Sequence, residues 1–395
     1  MFAREIVLAS PLRTAIGTYG GSLKDMPATE LGAAVIRAVL ERTGLDPARV
    51  GSVTMGNVIQ AGNRMNPARQ AARGGGLPVE VPAMTVNRVC GSGAQAIASA
   101  AMEIACGSID CAIAGGMENM DRAPYLVRNG RWGYRMGDGA LVDSMLGDGL
   151  NDAFSGEHSG WHTEDLVREF SVSRADQDAW ALRSQQRFGQ AQSRGDFADE
   201  IVPVTLATRK GERHFDTDEH NRPDTTLETL QGLKPVFRKD GTITAGNAPG
   251  LNSAAAATVV ADRDWAEANG LNPVARLVAF GVAGVEPERF GIGPVPAVRR
   301  MLDAAGWEAG DVERWEINEA FAAIALAVLR ELGLDEERVN VDGGAIAHGH
   351  PIGATGAVLT TRLIHALKRA GQRRGVATMC IGGGQGIALA LELID

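Results

Sequence analysis

The segment TVNRVCGSGAQAIASAAMEIA, residues 85–105, decides how the rest of the chain is read. It passes from an apolar, strand-like run to Cys90, then through Gly91-Ser92-Gly93 into a long small-residue stretch of helical period. A cysteine at such a turn stands at a helix N-terminus, where unpaired N–H groups and the positive dipole end favour the thiolate. That help matters, because a thiol of pKa ~8.5 is only about 3% ionised near neutral pH. The flanking glycines let a ligand approach the backbone. The competing reading is a buried structural cysteine, and the surroundings have to choose between the two.

Outward from this segment, strand and helix patterns alternate. REIVLAS (4–10) precedes a helix over 28–43, VGSVTMGNVI (50–59) a helix over 66–75, and AMTVNRV (83–89) a helix over 91–106 followed by CAIAGGME (111–118). After about residue 270 the order returns. ARLVAFG (275–281), a helix over 294–305, VERWEINE (312–319), a helix over 320–332 and RVNVDGG (338–344) lead to a helix over 353–370. GVATMCIGG (375–383) and GIALALELI (386–394) close the chain. Such alternation implies α/β layers with helices covering sheet faces. The halves also match in detail: LERTGLDPARVGSVTMGNV (40–58) parallels LDAAGWEAGDVERWEINEA (302–320), and VCGSGAQAIASA (89–100) parallels HPIGATGAVLTT (350–361). An internal duplication is the reading; two generic βα units are the alternative.

Between roughly 120 and 250 the rhythm breaks, and an excursion of that length is usually functional. It holds RNGRWGYRMGDGALVDSML (128–146), one clear helix pattern in SRADQDAWALRSQQRFGQAQSRG (173–195) and a charged run, RKGERHFDTDEHNRPDTT (209–226). Ser173 reads as its N-cap, with Asp176 and Gln177 in the first turn. An inserted domain lying over the site is expected.

The 395 residues imply more than one domain. A net charge of −9 and pI near 5.4 argue against a nucleic-acid or anionic-membrane surface. An anionic ligand would then need a local basic patch, for which Lys210, Arg213, Lys234, Arg238 and Lys239 are candidates. No run approaches the ~20 apolar residues of a membrane span, and the N-terminus reads as a strand, without a leader pattern. Cys90, Cys106, Cys111 and Cys380 make no disulfide framework in a chain this long, so free thiols in a reducing cytoplasm are expected.

Three further stretches carry chemistry. In NVDGGAIAHGHPIGATGA (340–357), His350 precedes a glycine-rich helix start, the duplicated counterpart of Cys90. A neutral imidazole there can take a thiol proton, although a plain turn is also natural. In TMCIGGGQGIALALEL (378–393), Cys380 ends a strand beside glycines whose N–H groups can bind an oxyanion. The run lacks the Lys-Ser/Thr of a phosphate loop. In WEINEAFAAIALAVL (315–329), Asn318 can position water or donate a hydrogen bond, or simply cap a helix.

With PLRTAIGTYGGSLKD (11–25), GNVIQAG, NRVCGSGAQAI, ITAGNAPGLN (243–252), NEAFA, GGAIAHGHPIGATGA and CIGGGQGIA together, the chain resembles the thiolases, the acetyl-CoA acetyltransferases and β-ketothiolases. The resemblance spans essentially the whole chain. It implies a duplicated, five-layered αβαβα fold with residues 1–120 plus 250–271 and 272–395 as the two halves. Residues 121–249 would form a loop domain that binds coenzyme A and makes oligomer contacts, in a homotetramer built as a dimer of dimers. Acetyl-CoA, acyl-CoA and coenzyme A are the implied substrates, with no permanently bound cofactor and no metal.

Carried over by position, Cys90 is the acylated nucleophile, His350 its base and Cys380 the second acid/base. Asn318, through a water, and His350 make one oxyanion site; the N–H groups of Cys90 and Gly382 make the other. The chemistry is consistent, since joining two thioesters needs an acyl carrier, an α-proton acceptor and two places for negative oxygen. His158 is placed in the thioester pocket, Arg222 at the coenzyme A nucleotide, and Phe237, Ala320 and Phe321 along the pantetheine tunnel. Leu150, Ser159 and Phe290 complete the substrate contacts. Departures from the common pattern are His348 for Leu, Ser159 and Phe290 where Met is frequent, and Pro249 for Ser. Competing readings are a decarboxylating condensing enzyme of the same fold, a catalytically silent acyl-CoA-binding member, and a metal site from Cys90, Cys380, His348 and His350, whose spacing fits no zinc pattern.

Overall fold

The structure, a computed structural model, describes residues 3–208 and 211–394. In chain order its main elements are β1 (Ile6–Thr14), α1 (Ala28–Thr43), β2 (Ser52–Gly56), α2 (Pro67–Gly74), β3 (Ala83–Val86), α3 (Ser92–Ala105) and β4 (Cys111–Asn119). Two helices, α4 (Ser159–Glu169) and α5 (Arg174–Arg194), follow in the excursion. The chain then returns through β5 (Asn252–Asp262), β6 (Ala275–Gly284), α6 (Pro294–Ala305), β7 (Arg314–Ile317), α7 (Ala322–Leu332), α8 (Thr355–Ala370), β8 (Arg374–Ile381) and β9 (Gln385–Leu393).

Five layers result from period-two strands that bury both faces. On one face Ile113, Ala255, Ala257 and Val259 pack under α1 and α2. On the other, Ala112, Ala114, Ala254 and Ala256 meet α3 and α8, which also cover Leu389 and Leu391 of β9. Ala388 and Ala390, on the opposite face of β9, pack against α6 and α7. The order is therefore α1/α2, sheet, α3/α8, sheet, α6/α7. The strands form one hydrogen-bonded path, β7-β8-β9-β6-β1-β5-β4-β2-β3. The two sheets meet at β1 and β6 through only two residue pairs, Val7↔Arg276 and Leu8↔Ala275.

The duplication is visible as repeated geometry. Helix α1 ends on Gly44 in the left-handed region, a 3-10 turn over Pro47–Arg49 follows, and then β2. Helix α6 ends the same way on Gly306, with a turn over Ala309–Asp311 and then β7. Central helices α3 and α8 approach so closely that a Cβ on Gly93 would lie 2.6 Å from the Ala357 nitrogen, and one on Gly356 would overlap the Ala94 backbone. This contact brings the two helix N-termini, and the segments before them, to one place.

Two sequence expectations are corrected, and a strand left unassigned from sequence is added. RVNVDGG is not a strand: only an isolated bridge joins Val339 to Trp315, because Asn340 adopts φ 45° and its side chain bonds both polar groups of the Ile317 backbone. A central strand, β5, comes from NSAAAATVVAD, whose alanines carry little strand signal but fit the tight gap between two helical layers. The excursion holds two substantial helices rather than one, α4 being added. Ser173 does cap α5, in a reciprocal capping box with Asp176. Among the described residues no helix is long and apolar enough to cross a membrane.

Candidate active site

A cavity of about 350 Å³ lies where the N-termini of α3 and α8 converge, and Cys90, His350, Gly382 and His158 all line it. Cys90 follows Val89, a β-branched residue at φ 43°, a conformation tolerated only where packing imposes it. Gly91 then caps α3. The backbone N–H groups of Gly382 and of Cys90 itself act on the Cys90 sulfur, each favouring its thiolate. This pair belongs to opposite halves of the chain and forms a nest ready for negative charge.

The thiol itself is not preactivated. Burial pushes Cys90 up to about 11, and the nearby negative charge of Glu118 adds to the effect, outweighing the two N–H donors. The helix N-terminus expected to favour a thiolate is thus overruled by desolvation, so a base must remove the proton.

His350 meets that requirement. It is 7% exposed, and burial holds it down to about 4, so the ring is neutral near pH 7. Its tautomer follows from its partner. The Thr355 hydroxyl donates its single hydrogen to the Pro351 carbonyl at 2.9 Å, so it accepts from His350 Nδ1–H at 2.6 Å. Nε2 is left as the free base, 3.4 Å from the Asn318 amide nitrogen. Asn252 fixes the backbone here, accepting from the His350 N–H at 2.9 Å while donating to the Gly17 carbonyl.

Cys380 is fully buried at the end of β8, close enough to Cys90 for their charges to interact. Burial first, and Cys90 second, raise its thiol well above the ordinary range. Asn318 is buried too, and its Oδ1 has no hydrogen-bond partner among the described residues. A polar atom so enclosed calls for water or ligand.

The loop domain supplies the other wall. His158 caps α4, its Nδ1 accepting from the Gly160 N–H at 3.0 Å, which leaves Nε2–H as a donor. Burial lowers this ring to about 4. It stacks on Phe237 at 4.6 Å, and Phe237 meets Phe321 edge-on at 5.9 Å. Gly160 is required, because a Cβ there would overlap the Phe237 ring. Leu150, Ser159, Phe290 and Ala320 also line the cavity, and Ser159 donates to the Leu150 carbonyl at 2.6 Å.

Other expected residues lie elsewhere. Arg222 is exposed and outside the cavity lining. The basic patch is thinner than the sequence suggests: Arg238 is committed to Asp165 in a bidentate pair at 2.6 Å and stacks over Trp161, and Arg213 donates to Ser22. Lys234 and Lys239 remain exposed, and Lys210 lies outside the described residues. His348 turns to Phe188, 5.9 Å between ring centroids, and among the described residues neither ring nitrogen has a hydrogen-bond partner. Among the described residues no group of three or more His, Cys, Asp or Glu could hold a metal. Sequence reasoning missed Thr355, Asn252 and Glu118. Only Thr355 left a local signal, a hydroxyl five positions after His350 at a helix start.

Comparison with known proteins identifies the family. Residues 6–264 match the family model described as the thiolase N-terminal domain, and residues 271–393 the thiolase C-terminal domain. An acetyl-CoA acetyltransferase of Pseudomonas aeruginosa is 52% identical over 98% of this chain and 99% of its own. A β-ketothiolase of Cupriavidus necator is 53% identical over 99% of this chain and 100% of its own. The solved structures of the Bacillus anthracis acetyl-CoA acetyltransferase and the human mitochondrial 3-ketoacyl-CoA thiolase superpose with TM-score 0.97 at 44% and 43% identity, each over the full length of both chains. With a duplicated αβαβα body and matches to both thiolase domains, this chain belongs to the thiolase family.

Proposed function

We propose that the protein is an acetyl-CoA C-acetyltransferase and 3-ketoacyl-CoA thiolase working through an acyl-Cys90 intermediate. The observation that carries this is the meeting, in one cavity, of the Cys90 sulfur, the Gly382 and Cys90 N–H groups that favour its thiolate, and a neutral His350 whose Nε2 carries no hydrogen. In thiolysis, Nε2 takes the Cys90 proton and the sulfur attacks the 3-keto carbon, whose oxygen gains negative charge between the Cys90 and Gly382 N–H groups. The C2–C3 bond breaks, and the departing acetyl-CoA enolate takes its proton from the Cys380 thiol. Its own oxygen is met by His350 and by water on Asn318. Coenzyme A then attacks the acyl group and gives its proton to Cys380, while Cys90 recovers its proton from His350. Synthesis is the reverse.

His158 Nε2–H is suited to the thioester oxygen, and the Phe237–Phe321 pair with Ala320, Leu150, Ser159 and Phe290 to the pantetheine and acyl chain. Arg222, Lys234 and Lys239, all exposed, are the candidates for contact with the coenzyme A nucleotide. The matching domain division is 1–120 with 250–271, 121–249 and 272–395. We further infer a cytoplasmic homotetramer: two functional thiols work only when reduced, and Trp132 and Met136, 86% and 97% exposed on the loop domain, need cover.

The test follows acetoacetyl-CoA loss with free coenzyme A. Wild type should turn over, and Cys90→Ala should fall at least ~1000-fold. Cys380→Ser should still acylate Cys90 yet fail to condense acetyl-CoA. Full-rate condensation by that variant removes the role given to Cys380, and turnover only of a malonyl thioester with decarboxylation replaces the function itself.

A further inference from the structure

Glu118 ends β4 wholly buried, and among the described residues its oxygens meet four N–H groups and no cation. Oε1 accepts from Asn57 Nδ2 at 2.8 Å and from the Ile59 N–H at 3.4 Å; Oε2 accepts from the Val58 and Gly353 N–H groups, each at 3.0 Å. Three donors follow β2 in the N-terminal half, and the fourth lies three residues beyond His350 in the C-terminal half. Both oxygens face only donors, which favour the ionised carboxylate, while burial pushes the group up to about 7, so its charge is complete only above neutral pH. The backbone around it is closed: a Cβ on Gly353 would come within 2.6 Å of Oε2, and Cβ atoms on Gly56 and Gly116 would press on the Gly353 carbonyl.

What this clamp holds is the wall behind the sulfur. Val58, Ile59 and Ile352, side chains of the tied segments or next to them, form one apolar cluster with Met120, against which Val89 and Cys90 pack. The Glu118 charge is also felt at the Cys90 sulfur, where it disfavours the thiolate.

We propose that Glu118 is a positioning residue for acyl transfer, its carboxylate tying residues 57–59 to Gly353 so that Cys90 and His350, from opposite halves, hold their mutual geometry. The inference rests on the reading of Cys90 as nucleophile. Once ionised, it has a second effect, adding to burial in keeping the resting sulfur protonated, since a buried negative charge opposes a neighbouring thiolate.

The experiment compares wild type with Glu118→Gln, which keeps the volume but turns an amide donor against N–H groups. Expected are a kcat for acetoacetyl-CoA thiolysis lower by ~10–100-fold, a KM within about threefold, and Cys90 alkylation by iodoacetamide that titrates at lower pH than in wild type. A folded variant with kcat within about twofold of wild type overturns the proposal, and so does a lowered kcat with an unmoved alkylation profile. If Glu118→Gln does not fold, Asn57→Ala removes one donor and leaves the carboxylate. It should lose ~3–10-fold in kcat at constant KM, and an unchanged kcat overturns the proposal. Absence of Cys90-dependent turnover in wild type would fail the functional reading instead, while the alkylation shift still reports on Glu118.

Discussion

The hydroxyl of Thr355 decides which nitrogen of His350 is a base. Because its hydrogen goes to Pro351, it can only accept from Nδ1, and Nε2 is left for the sulfur proton. Thr355→Val keeps the shape and removes the acceptor, freeing the ring to place its hydrogen on either nitrogen. The expected result is a kcat lower by ~10–100-fold, equivalent to about 1–3 kcal/mol, with KM nearly unchanged in steady-state thiolysis. A second residue-scale consequence concerns charge. With Cys90 raised to about 11 and His350 lowered to about 4, the resting pair is thiol and imidazole rather than an ion pair. Iodoacetamide alone should therefore alkylate Cys90 slowly at pH 7, with the rate still rising at pH 9.

At the scale of elements, the contact between α3 and α8 governs everything above it. Gly93 and Gly356 let one helix sit on the backbone of the other, and the active-site turns at their N-termini meet only because of that closeness. Gly356→Ala places a methyl group on the Ala94 backbone, where no side chain can move aside. It should destabilise the fold by about 1–3 kcal/mol, read as a lowered thermal midpoint, and reduce activity more than stability. Helix α5 bears on the same site from outside. Glu319 accepts from Trp180 Nε1 and Ser184 Oγ of α5, and from the Asn340 amide and the Ile346 N–H, on the way to His350. Ser173→Ala removes the capping box and should cost about 1 kcal/mol, seen as faster hydrogen exchange in the first turn of α5.

The whole molecule sums buried titratable groups of opposite sign. Burial lowers His158, His220 and His350 to about 4 and lowers His348 and His365 as well, so below pH 6.5 the unfolded chain binds more protons and stability falls as pH falls. Burial raises Glu118 to about 7 and Glu316 to about 8, so from pH 4.5 upward the folded chain binds more protons and stability falls as pH rises through those values. Well below pH 6.5 the five histidines outnumber the two glutamates; well above it the glutamates prevail. Thermal midpoints measured from pH 5 to 8.5 should peak near pH 6.5. At the same scale, the proposed tetramer should elute with the mass of four 41.5-kDa chains, and Trp132→Ser with Met136→Ser should shift it to a smaller species.

The sequence by itself determined the alternation of strands and helices, the repeat of the two halves and the candidate positions Cys90, His350, Cys380 and Asn318. Period, helix starts and glycine placement are local properties that a linear chain displays. It did not reveal β5, because alanines suit that strand only once two helical layers press on it. Nor did it reveal that Arg238 is already paired, that His348 turns to Phe188, or that Thr355, Asn252 and Glu118 orient the site. Only the tertiary structure decided the charge state of Cys90. A helix N-terminus can be read from residues 91–93, but the burial that outweighs it comes from residues of both halves, Val58, Met120 and Ile352 among them, and desolvation depends on what surrounds an atom rather than on what precedes it.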